Sequence, residues 1–445
     1  LGLGATAAMF ALVDAVLLRA LPLAAPDRVV ALHPTVRGAP WGGSPALFAA
    51  WGEQARTLQA IAAARAQDAT LLLPDASGRA VADVGTVRAE RVAGLAVSGD
   101  FAAVLGVAPI LGRALGPADD VPGGPRVVVL GHQLWRTRFG ADRRVVGRTV
   151  RLDGAPTTVV GVLPPALDPI TEVGSYWVPL ALPASQRSNY TPYLTLVGRL
   201  RRGVTYDAAT RELDAITERL GAAAEQDGVR PRVRAVPLLD ELTGTVRRPL
   251  LLLLAAAAVV LLIGCANVST VVLARTLRRT RELAVRAALG AGRRRLVGEL
   301  AVEHLVLGAL AALVAVPTAW AVTRAFVATL PIELPRLVES SGGAPPIRAL
   351  AFTLGVGLAS ALACAAGAAW YQGRLDVRTA LQRGGRTATG RSGAGWRRVL
   401  VGAEVALAVL LLAGAALFLG CARALGRVTP GYDAAGVLTA RLALP

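Results

Sequence analysis

The sequence predicts an α+β membrane protein, in which an α-helical transmembrane bundle carries one large soluble domain. Three observations indicate this fold class. Uncharged apolar runs long enough to cross a bilayer occur in the later half of the chain. Residues 20–247 are instead polar and almost balanced in charge, with 25 arginines and 21 acidic residues. The whole chain is 54% hydrophobic and has a mean hydropathy of +0.51, above what is typical of a soluble domain.

The membrane helices are predicted from runs without a charged side chain. Residues 250–274 and 349–373 each form such a run, and a helix of that length extends roughly 37 Å, more than the hydrocarbon core of about 30 Å. The first segment contains one acid, Asp14, and predicts most of a helix whose start is missing. A signal peptide is the alternative, but the basic start and the small-residue cleavage site are absent. The predicted spans are residues 1–19 (partial), 250–274, 301–329, 349–373 and 399–422.

Arginines between these spans predict the orientation. The loop at residues 275–300 and the linker at residues 374–398 each have a net charge of +6, whereas residues 324–348 have only +1. The positive-inside rule places the two strongly basic segments in the cytoplasm. Residues 20–247 are then extracytoplasmic, and residues 423–445 would begin a second extracytoplasmic domain. We therefore expect a multi-pass protein of the bacterial inner membrane.

Composition also excludes several functions. All 48 basic side chains are arginine, so the chain cannot supply the lysine of a P-loop NTPase or of a Schiff-base enzyme. The three cysteines lie in apolar runs, which excludes a disulfide framework and a cysteine zinc site. The three histidines are far apart in sequence, so histidine-dependent catalysis is possible but thinly supplied. No G-x-S-x-G elbow frames Ser98, the serine that His132 and Asp142 could otherwise serve. We expect no catalytic, cofactor-binding or metal site.

The polar segment predicts a split α+β domain, with a β-α-β piece at each end and β structure in the middle. The strand at residues 194–200 alternates like a half-buried strand. The following helix places Ala208, Leu213, Ile216 and Leu220 on one face, with Thr205 or Asp207 as the N-cap. Trp135 and Phe139 are expected to anchor a core. The predicted elements are strands at 28–32, 58–64, 126–130, 149–152, 157–163, 194–200 and 229–236, and helices at 45–55 and 205–220.

Several longer stretches resemble the MacB/FtsX-like permeases of ABC transporters, and among them the duplicated permeases of acidobacterial type. In the polar segment they are VSGDFAAVLGVAPILGR (residues 97–113), VVVLGHQLWRTRFGADRRVVGRTVRLDGAPTTVVGVLPP (127–165) and YWVPL (176–180). In the membrane segment they are LLIGCANVSTVVLAR (261–275) and RELAVRAALGAGRRRLVGELAVEHLVL (281–307). The resemblance covers essentially the whole chain.

The resemblance implies a MacB-like periplasmic core domain at residues 20–247 and an FtsX-like permease domain at residues 250–373. It further implies that a separate ATPase docks on the cytoplasmic loop between the second and third spans. A full-length protein would repeat this plan, with eight helices and two outer domains. Because the chain begins at Leu1 and stops within the second copy, we expect it to be truncated at both ends.

The strongest functional candidate is the ATPase-coupling segment RELAVRAALG. Its pattern is typical of a short amphipathic helix that ends at a glycine C-cap, a shape suited to a cytoplasmic lever. The alternative is a solvated basic loop that only sets topology or contacts anionic lipid. The coupling residues are Arg281, Glu282, Arg286, Leu289 and Gly290.

Polar residues inside the spans form a second group of candidates. An ionisable group in a membrane segment is a functional hypothesis, but for Glu303, Glu404 and Asp14 we favour extension toward the interface. Asn267 and Ser269 are expected to form interhelical hydrogen bonds.

The sequence thus predicts a permease subunit rather than an enzyme, with no cofactor of its own and with ATP used by its partner. It would couple ATP hydrolysis to movement of extracytoplasmic domains for export or efflux, a mechanism called mechanotransmission. The expected partners are a cytoplasmic ABC ATPase subunit and membrane lipid, with a periplasmic adaptor protein as a further candidate. No nucleic-acid partner is expected, because Trp396 is the one aromatic residue in the two basic loops, which argues against a stacking platform, and because topology explains the arginines better. Two alternatives remain: a non-transporting signal relay that controls an extracytoplasmic enzyme, and a static membrane-anchored binding protein.

Overall fold

The computed structural model describes residues 1–19, 21, 23–73, 88–167, 174–220, 231–278, 293–329, 347–372 and 391–426. The chain divides into two compact units. Among the described residues, the sheet unit covers Leu17–Thr245, and the helical unit combines Leu1–Val16 with those from Val246 onward.

One mixed, mainly antiparallel sheet of eleven strands, counted over the described ranges, forms the sheet unit. Its strand order is β11-β1-β10-β3-β4-β9-β6-β8-β5, with β2 paired to β1 and β7 paired to β3 and β8. The strands are β1 (Val29–Val36), β2 (Ala39–Pro40), β3 (Leu58–Leu73), β4 (Arg88–Val97), β5 (Leu111–Gly112), β6 (Val127–Leu130), β7 (Thr149–Leu152), β8 (Ala155–Val162), β9 (Tyr176–Pro179), β10 (Thr195–Leu200) and β11 (Arg232–Pro237).

The helices divide between the two units of the chain. Those of the sheet unit are α2 (Pro45–Gln54), α3 (Phe101–Leu105), α4 (His132–Arg138) and α5 (Tyr206–Arg219). The remaining helices are α1 (Gly2–Val13), α6 (Leu238–Arg278), α7 (Arg293–Thr329), α8 (Ile347–Gln372) and α9 (Arg391–Gly426). Of these, α6 begins in the sheet unit.

The two predicted β-α-β pieces, β1–α2–β3 and β10–α5–β11, share one core. Trp51 of α2 is fully buried and donates its indole N–H to the hydroxyl of Thr217 on α5, at 3.1 Å. The hydroxyl of Thr205 accepts the N–H of Ala208, so Thr205 is the N-cap, one of the two predicted caps. Ala209 rather than Ala208 faces this core.

The prediction that residues 194–200 form a half-buried strand is wrong. The strand exists as β10, but five of its six residues are buried. Leu196 packs into the core beneath α2 and α5, whereas Val197 packs into a second core on the opposite face, with Leu21 and Trp177. The sheet is covered on both faces here, so alternation toward water is lost.

Strand β3 is longer than predicted. Its first part pairs with β10, from Leu58 to Ala64, and its second part pairs with β4, from Ala64 to Leu73. This second part reaches a third core, around β6, β8 and α4. Trp135 is buried in that core and Phe139 packs against it, as their spacing predicts.

Four helices of the described ranges are long and apolar enough to cross a membrane: Val246–Val272, Ala301–Ala325, Ile347–Ala366 and Arg398–Ala424. The apolar helix Gly2–Leu18 is shorter. Helices α1, α7 and α8 pack on one another. The rings of Phe10 and Phe352 stack 3.8 Å apart between α1 and α8. A Cβ atom on Gly308 of α7 would lie 2.7 Å from that of Ala361 on α8, so glycine permits this close helix approach.

Candidate functional site

The predicted coupling residues, Arg281, Glu282, Arg286, Leu289 and Gly290, lie outside the described residues. Helix α6 ends at Arg278 and α7 begins at Arg293, on either side of them. Their role therefore stays a prediction.

The three polar residues predicted within the spans are placed apart. Asn267 on α6 and Glu303 on α7 are exposed. Glu404 on α9 is partly buried, and its Oε1 is enclosed without a hydrogen-bond partner in the described chain. No hydrogen bond or ion pair within the described ranges joins any two of the three. The predicted interhelical bond is made by Ser269, whose hydroxyl on α6 lies 3.5 Å from the Cys364 sulfur on α8.

Asp14 differs from its expected position. Instead of extending to the interface it is buried, with 6% of its surface exposed, at the start of a π-helical turn, Asp14–Leu18. Its carboxylate lies 3.6 Å from the guanidinium of Arg348 on α8. A buried charge in a membrane helix is stable only with such a partner. The two residues are far apart in sequence, so no local pattern indicates this pair.

The segment between α1 and β1, which we call the entry segment (residues 21–28), is held by side chains of the sheet unit. Arg199 on β10 is 7% exposed, donates Nε–H to the carbonyl of Val104 at 2.8 Å and donates Nη1–H to the carbonyl of Ala24 at 2.9 Å. Burial lowers the pKa of Arg199 from its usual value, and the nearby charge of Arg28 lowers it further. The group nevertheless remains protonated, since a guanidinium does not lose its proton in proteins. The buried guanidinium of Arg199 thus forms hydrogen bonds with two main-chain oxygens, and one of these oxygens belongs to the entry segment.

Two further contacts hold the same segment. Arg28 donates Nε–H to the carbonyl of Leu200 at 2.8 Å and Nη2–H to the side chain of Gln59 at 2.6 Å. Tyr206, at the start of α5, donates its hydroxyl to the carbonyl of Asp27 at 2.6 Å. Gly106, at φ +67°, leaves room for the Arg199 guanidinium: a Cβ there would lie 2.6 Å from Nη2. Sequence reasoning missed this arrangement because its parts are far apart along the chain.

The chain leaves the sheet unit through the first turns of α6, which are held mainly by apolar packing. Leu238, Leu239 and Leu242, in the first turns of α6, pack on the core that contains Leu21 and Trp177. Glu241 in the same turns lies 2.9 Å from the ring Nε2 of His33 on β1. The 41-residue helix then continues to Arg278 and contains the span Val246–Val272.

An acidic pair fixes the loop before β6. Asp119 accepts two hydrogen bonds from the guanidinium of Arg113, at 2.5 and 2.8 Å, and this contact holds its pKa below the usual value. Asp120 accepts the N–H groups of Gly99 and Ala181, and burial raises its pKa. The loop is thereby tied to the ends of β4 and β9.

This loop borders a cleft of about 370 Å³. At its base Tyr176 donates its hydroxyl to the carbonyl of Gln67 at 2.6 Å, and burial raises the pKa of this phenol, with Asp153 and Asp68 adding to the effect. The phenol therefore stays protonated, and the Asp119 carboxylate stays ionised. Such groups can hold a ligand, but they form no nucleophile–base pair.

Ser98 and Asp142 have structural partners. The Ser98 hydroxyl accepts the N–H of Ala63 at 3.0 Å. Asp142 caps the turn that begins at Arg143 and pairs with Arg148 at 2.7 Å. In the described part of the chain no group of three or more His, Cys, Asp or Glu side chains could hold a metal ion.

Two family models match the chain. The MacB-like periplasmic core domain matches residues 1–216, and the FtsX-like permease C-terminal model matches residues 254–376. The first ends within the sheet unit, and the second spans most of α6, α7 and α8.

The sequence relatives are proteins named MacB. The macrolide export ATP-binding/permease protein MacB of Burkholderia pseudomallei (strain K96243) is 26% identical over 209 residues, which are 46% of this chain and 31% of the relative. The protein of the same name from Burkholderia cenocepacia (strain HI2424) is 30% identical over 185 residues, 41% of this chain and 26% of the relative. The chain thus spans about a third or less of the length of these relatives.

Among solved structures, a domain of a putative permease from Porphyromonas gingivalis is similar with a TM-score of 0.37 and 17% identity, over 48% of this chain and 92% of that one. The periplasmic region of MacB from Actinobacillus actinomycetemcomitans gives 0.35 and 15%, over 49% and 92%. The assignment rests on the family models and the sequence relatives. Combined with the four candidate spans, they make this a multi-pass inner-membrane protein with an extracytoplasmic core domain. The chain belongs to the MacB/FtsX-like permeases.

Proposed function

We propose that the chain is the permease subunit of an ABC transporter, and that it converts ATP hydrolysis by a separate ATPase subunit into movement of the sheet unit, for export. The observation that carries the proposal is the way in which the chain enters and leaves the sheet unit. Described residues at both ends of the sheet unit pack into its core, so we expect a pull on either end to reach the sheet; they are Leu21 and Leu23 at the start and Leu238, Leu239 and Leu242 at the end.

On the entry side, the Ala24 carbonyl is bound by Arg199, and Asp27 is bound by Tyr206. Leu21 and Leu23 are themselves buried core residues. Pulling the entry segment would therefore strain β10 and the C-terminal end of α3, which Arg199 also binds through Val104.

On the exit side, one helix supplies both the last packing element of the sheet unit and a candidate span. Helix α6 runs through Pro249, which lacks a backbone N–H, so a displacement would pass along the helix axis through the remaining backbone hydrogen bonds. Motion of the cytoplasmic end of α6 would reach Leu242 by this path.

The energy would come from another polypeptide. The chain has no lysine for a P-loop, whereas relatives named ATP-binding/permease proteins match it over only part of their length. The segment with Arg281, Glu282 and Arg286 directly follows α6 and would receive the ATPase. Membrane lipid would cover exposed apolar side chains such as Leu412 and Phe418 of α9.

The test is retention of the ATPase subunit by the purified chain. Charge reversal at the three positions (R281E, E282R and R286E together) should abolish co-purification. The control R383E, in the other cytoplasmic segment, changes the net charge by the same two units and should retain the ATPase. Equal retention by both variants would exclude the coupling assignment. An unsubstituted chain that retains no ATPase at all would favour the static binding protein.

A further inference from the structure

The positive charge of the sheet unit is concentrated in one short stretch. Residues 126–153 contain seven arginines and two aspartates. Residues 20–247 contain 25 arginines and 21 acidic residues in total, so the remainder of that segment has one more acid than arginine. The whole positive excess therefore belongs to this stretch.

The stretch folds as one layer over the third core. It runs from Arg126 through β6, α4, the turn Arg143–Val145 and β7. Its apolar residues face inward, with Leu134, Trp135 and Val145 buried. All seven arginines face solvent.

Some of these arginines already have partners. Arg138 forms two hydrogen bonds with Glu90 of β4, at 2.5 and 2.6 Å. Arg148 pairs with Asp142 at 2.7 Å, and Arg151 donates to the carbonyl of Gly154 at 2.9 Å. These contacts hold the layer together and leave the other guanidinium groups outside it.

The remaining arginines, Arg126, Arg136, Arg143 and Arg144, form no ion pair within the described ranges. Arg143 and Arg144 are adjacent in the turn that Asp142 caps, and Arg136 lies in the last turn of the preceding helix. The N–H of Ala141 donates to the carbonyl of Trp135, which folds this turn back onto α4. We call Arg136, Arg143 and Arg144 the arginine surface.

Its place in the sheet bears on the kind of partner. β1 and β11, the first and last strands of the unit, lie at one end of the strand order, whereas β6 and β8 lie toward the other. The arginine surface covers the third core, on the face of β6 opposite the core that contains Leu21 and the first turns of α6. It exposes no aromatic side chain that could insert into lipid, since Trp135 is buried and Phe139 packs against the core.

We infer that the arginine surface docks an acidic surface of an extracytoplasmic partner protein. Guanidinium groups bind carboxylates bidentately, as Arg138 does with Glu90 within this chain. Exposed charges of one sign also steer an oppositely charged partner toward its site. The inference does not depend on ATPase coupling, because a static anchored protein could present the same surface.

The experiment uses the full chain in right-side-out spheroplasts, where only the extracytoplasmic side is accessible. The probe is fluorescent polyglutamate, measured at low and at physiological salt. The variant R136Q/R143Q/R144Q should bind it about tenfold more weakly and should lose most of the salt dependence. The control R37Q/R201Q/R202Q removes three exposed arginines of the same unit outside the stretch and should bind like the unsubstituted chain.

A second arm offers phosphatidylglycerol vesicles to the same spheroplasts. Equal losses in the two triple variants, or no polyglutamate binding by the unsubstituted chain, would overturn the inference. Vesicle binding that depends on Arg136, Arg143 and Arg144 and exceeds polyglutamate binding would also overturn it, in favour of a lipid surface. Unchanged thermal unfolding of both variants confirms that the binding change is not a folding defect.

Discussion

At the scale of single residues, Arg199 binds two main-chain oxygens and no carboxylate in the described chain. Its Nη2 is enclosed without a partner. The two hydrogen bonds stabilise the charged guanidinium. Desolvation destabilises it, which is why burial lowers the pKa of Arg199. The residue therefore acts chiefly as a clamp on the carbonyls of Val104 and Ala24.

We expect Arg199→Met to lower the free energy of unfolding by about 2 kcal/mol, because two buried carbonyls lose their donors while the cost of a buried charge disappears. Urea unfolding of the full chain in detergent, followed through the fluorescence of buried Trp51 and Trp177, measures the change. Arg201→Met, two positions along and exposed, should stay within about 0.5 kcal/mol of the unsubstituted chain. Equal effects would show that Arg199 has no special role.

Glu212 on α5 predicts a pH dependence. Burial would raise its pKa, but hydrogen bonds from the Thr57 hydroxyl and from the N–H groups of Arg56 and Thr57 bring it below the usual value. A carboxylate with a lowered pKa stabilises the fold above its unfolded value of about 4.3, and this contribution is lost as pH falls through the folded pKa.

Glu212→Gln should therefore unfold at a lower temperature than the unsubstituted chain at pH 7, and the difference should shrink as pH falls below about 4.3. Thermal unfolding at a series of pH values measures this. Glu218→Gln, exposed on the same helix, is the control. A gap between Glu212→Gln and the unsubstituted chain that stays constant with pH would contradict the assignment.

At the scale of elements, the edge strand β11 is protected by a helix. The N–H groups of Val233 and Ala235 do not face another strand; they donate to the side chains of Asp214 at 2.7 Å and Thr210 at 3.1 Å, both on α5. Open strand edges invite pairing with other chains. The periodicity of α5 predicts its buried face, but it does not indicate that two polar residues cover this edge.

Removing both acceptors, with Asp214→Ala and Thr210→Val, should cost about 1–3 kcal/mol for each N–H left without a partner. Amide hydrogen exchange at Val233 and Ala235 should accelerate, and aggregation should increase. Arg211→Ala, exposed on the same helix, is the matched control. Unchanged exchange at the two amides in the double variant would show that the side chains do not protect the edge.

The contact between α7 and α8 depends on Gly308, since a Cβ there would also lie 3.0 Å from the Gly357 carbonyl. Gly308→Leu should destabilise the helical unit by about 1–3 kcal/mol through overpacking. Gly355→Leu on α8, where a Cβ would meet nothing within 4 Å, should be tolerated. Thermal unfolding of both variants in detergent compares them, and equal melting temperatures would contradict this packing.

At the scale of the whole molecule, the charge pattern predicts sidedness. In a chain without its three native cysteines, Ser188→Cys should react with a membrane-impermeant maleimide in intact spheroplasts, because Ser188 is exposed in the extracytoplasmic unit. Thr389→Cys, within the basic segment 374–398, should react only after the membrane is opened. The reverse pattern would contradict the orientation.

How far the sequence predicts this molecule depends on the range of each interaction. Hydrophobic length and arginine placement predict the spans, and local caps predict α5 with its N-cap Thr205. Burial of both faces of β10 could not be read locally, because Trp51 and Trp177, which lie on opposite sides of the sheet, come from distant segments. The Asp14–Arg348 pair and the Arg199 contacts were missed for the same reason.

Two sets of hydrogen bonds in the sheet unit, those of Arg199 and those of Glu212, respond differently to acid. The guanidinium of Arg199 does not lose its proton in proteins, so its hydrogen bond to the Ala24 carbonyl of the entry segment does not depend on acid. The Glu212 carboxylate accepts the N–H groups of Arg56 and Thr57. These hydrogen bonds weaken once the carboxylate is protonated. Acid should therefore first loosen the contact between α5 and the start of β3, while Arg199 keeps its hydrogen bonds to the carbonyls of Val104 and Ala24.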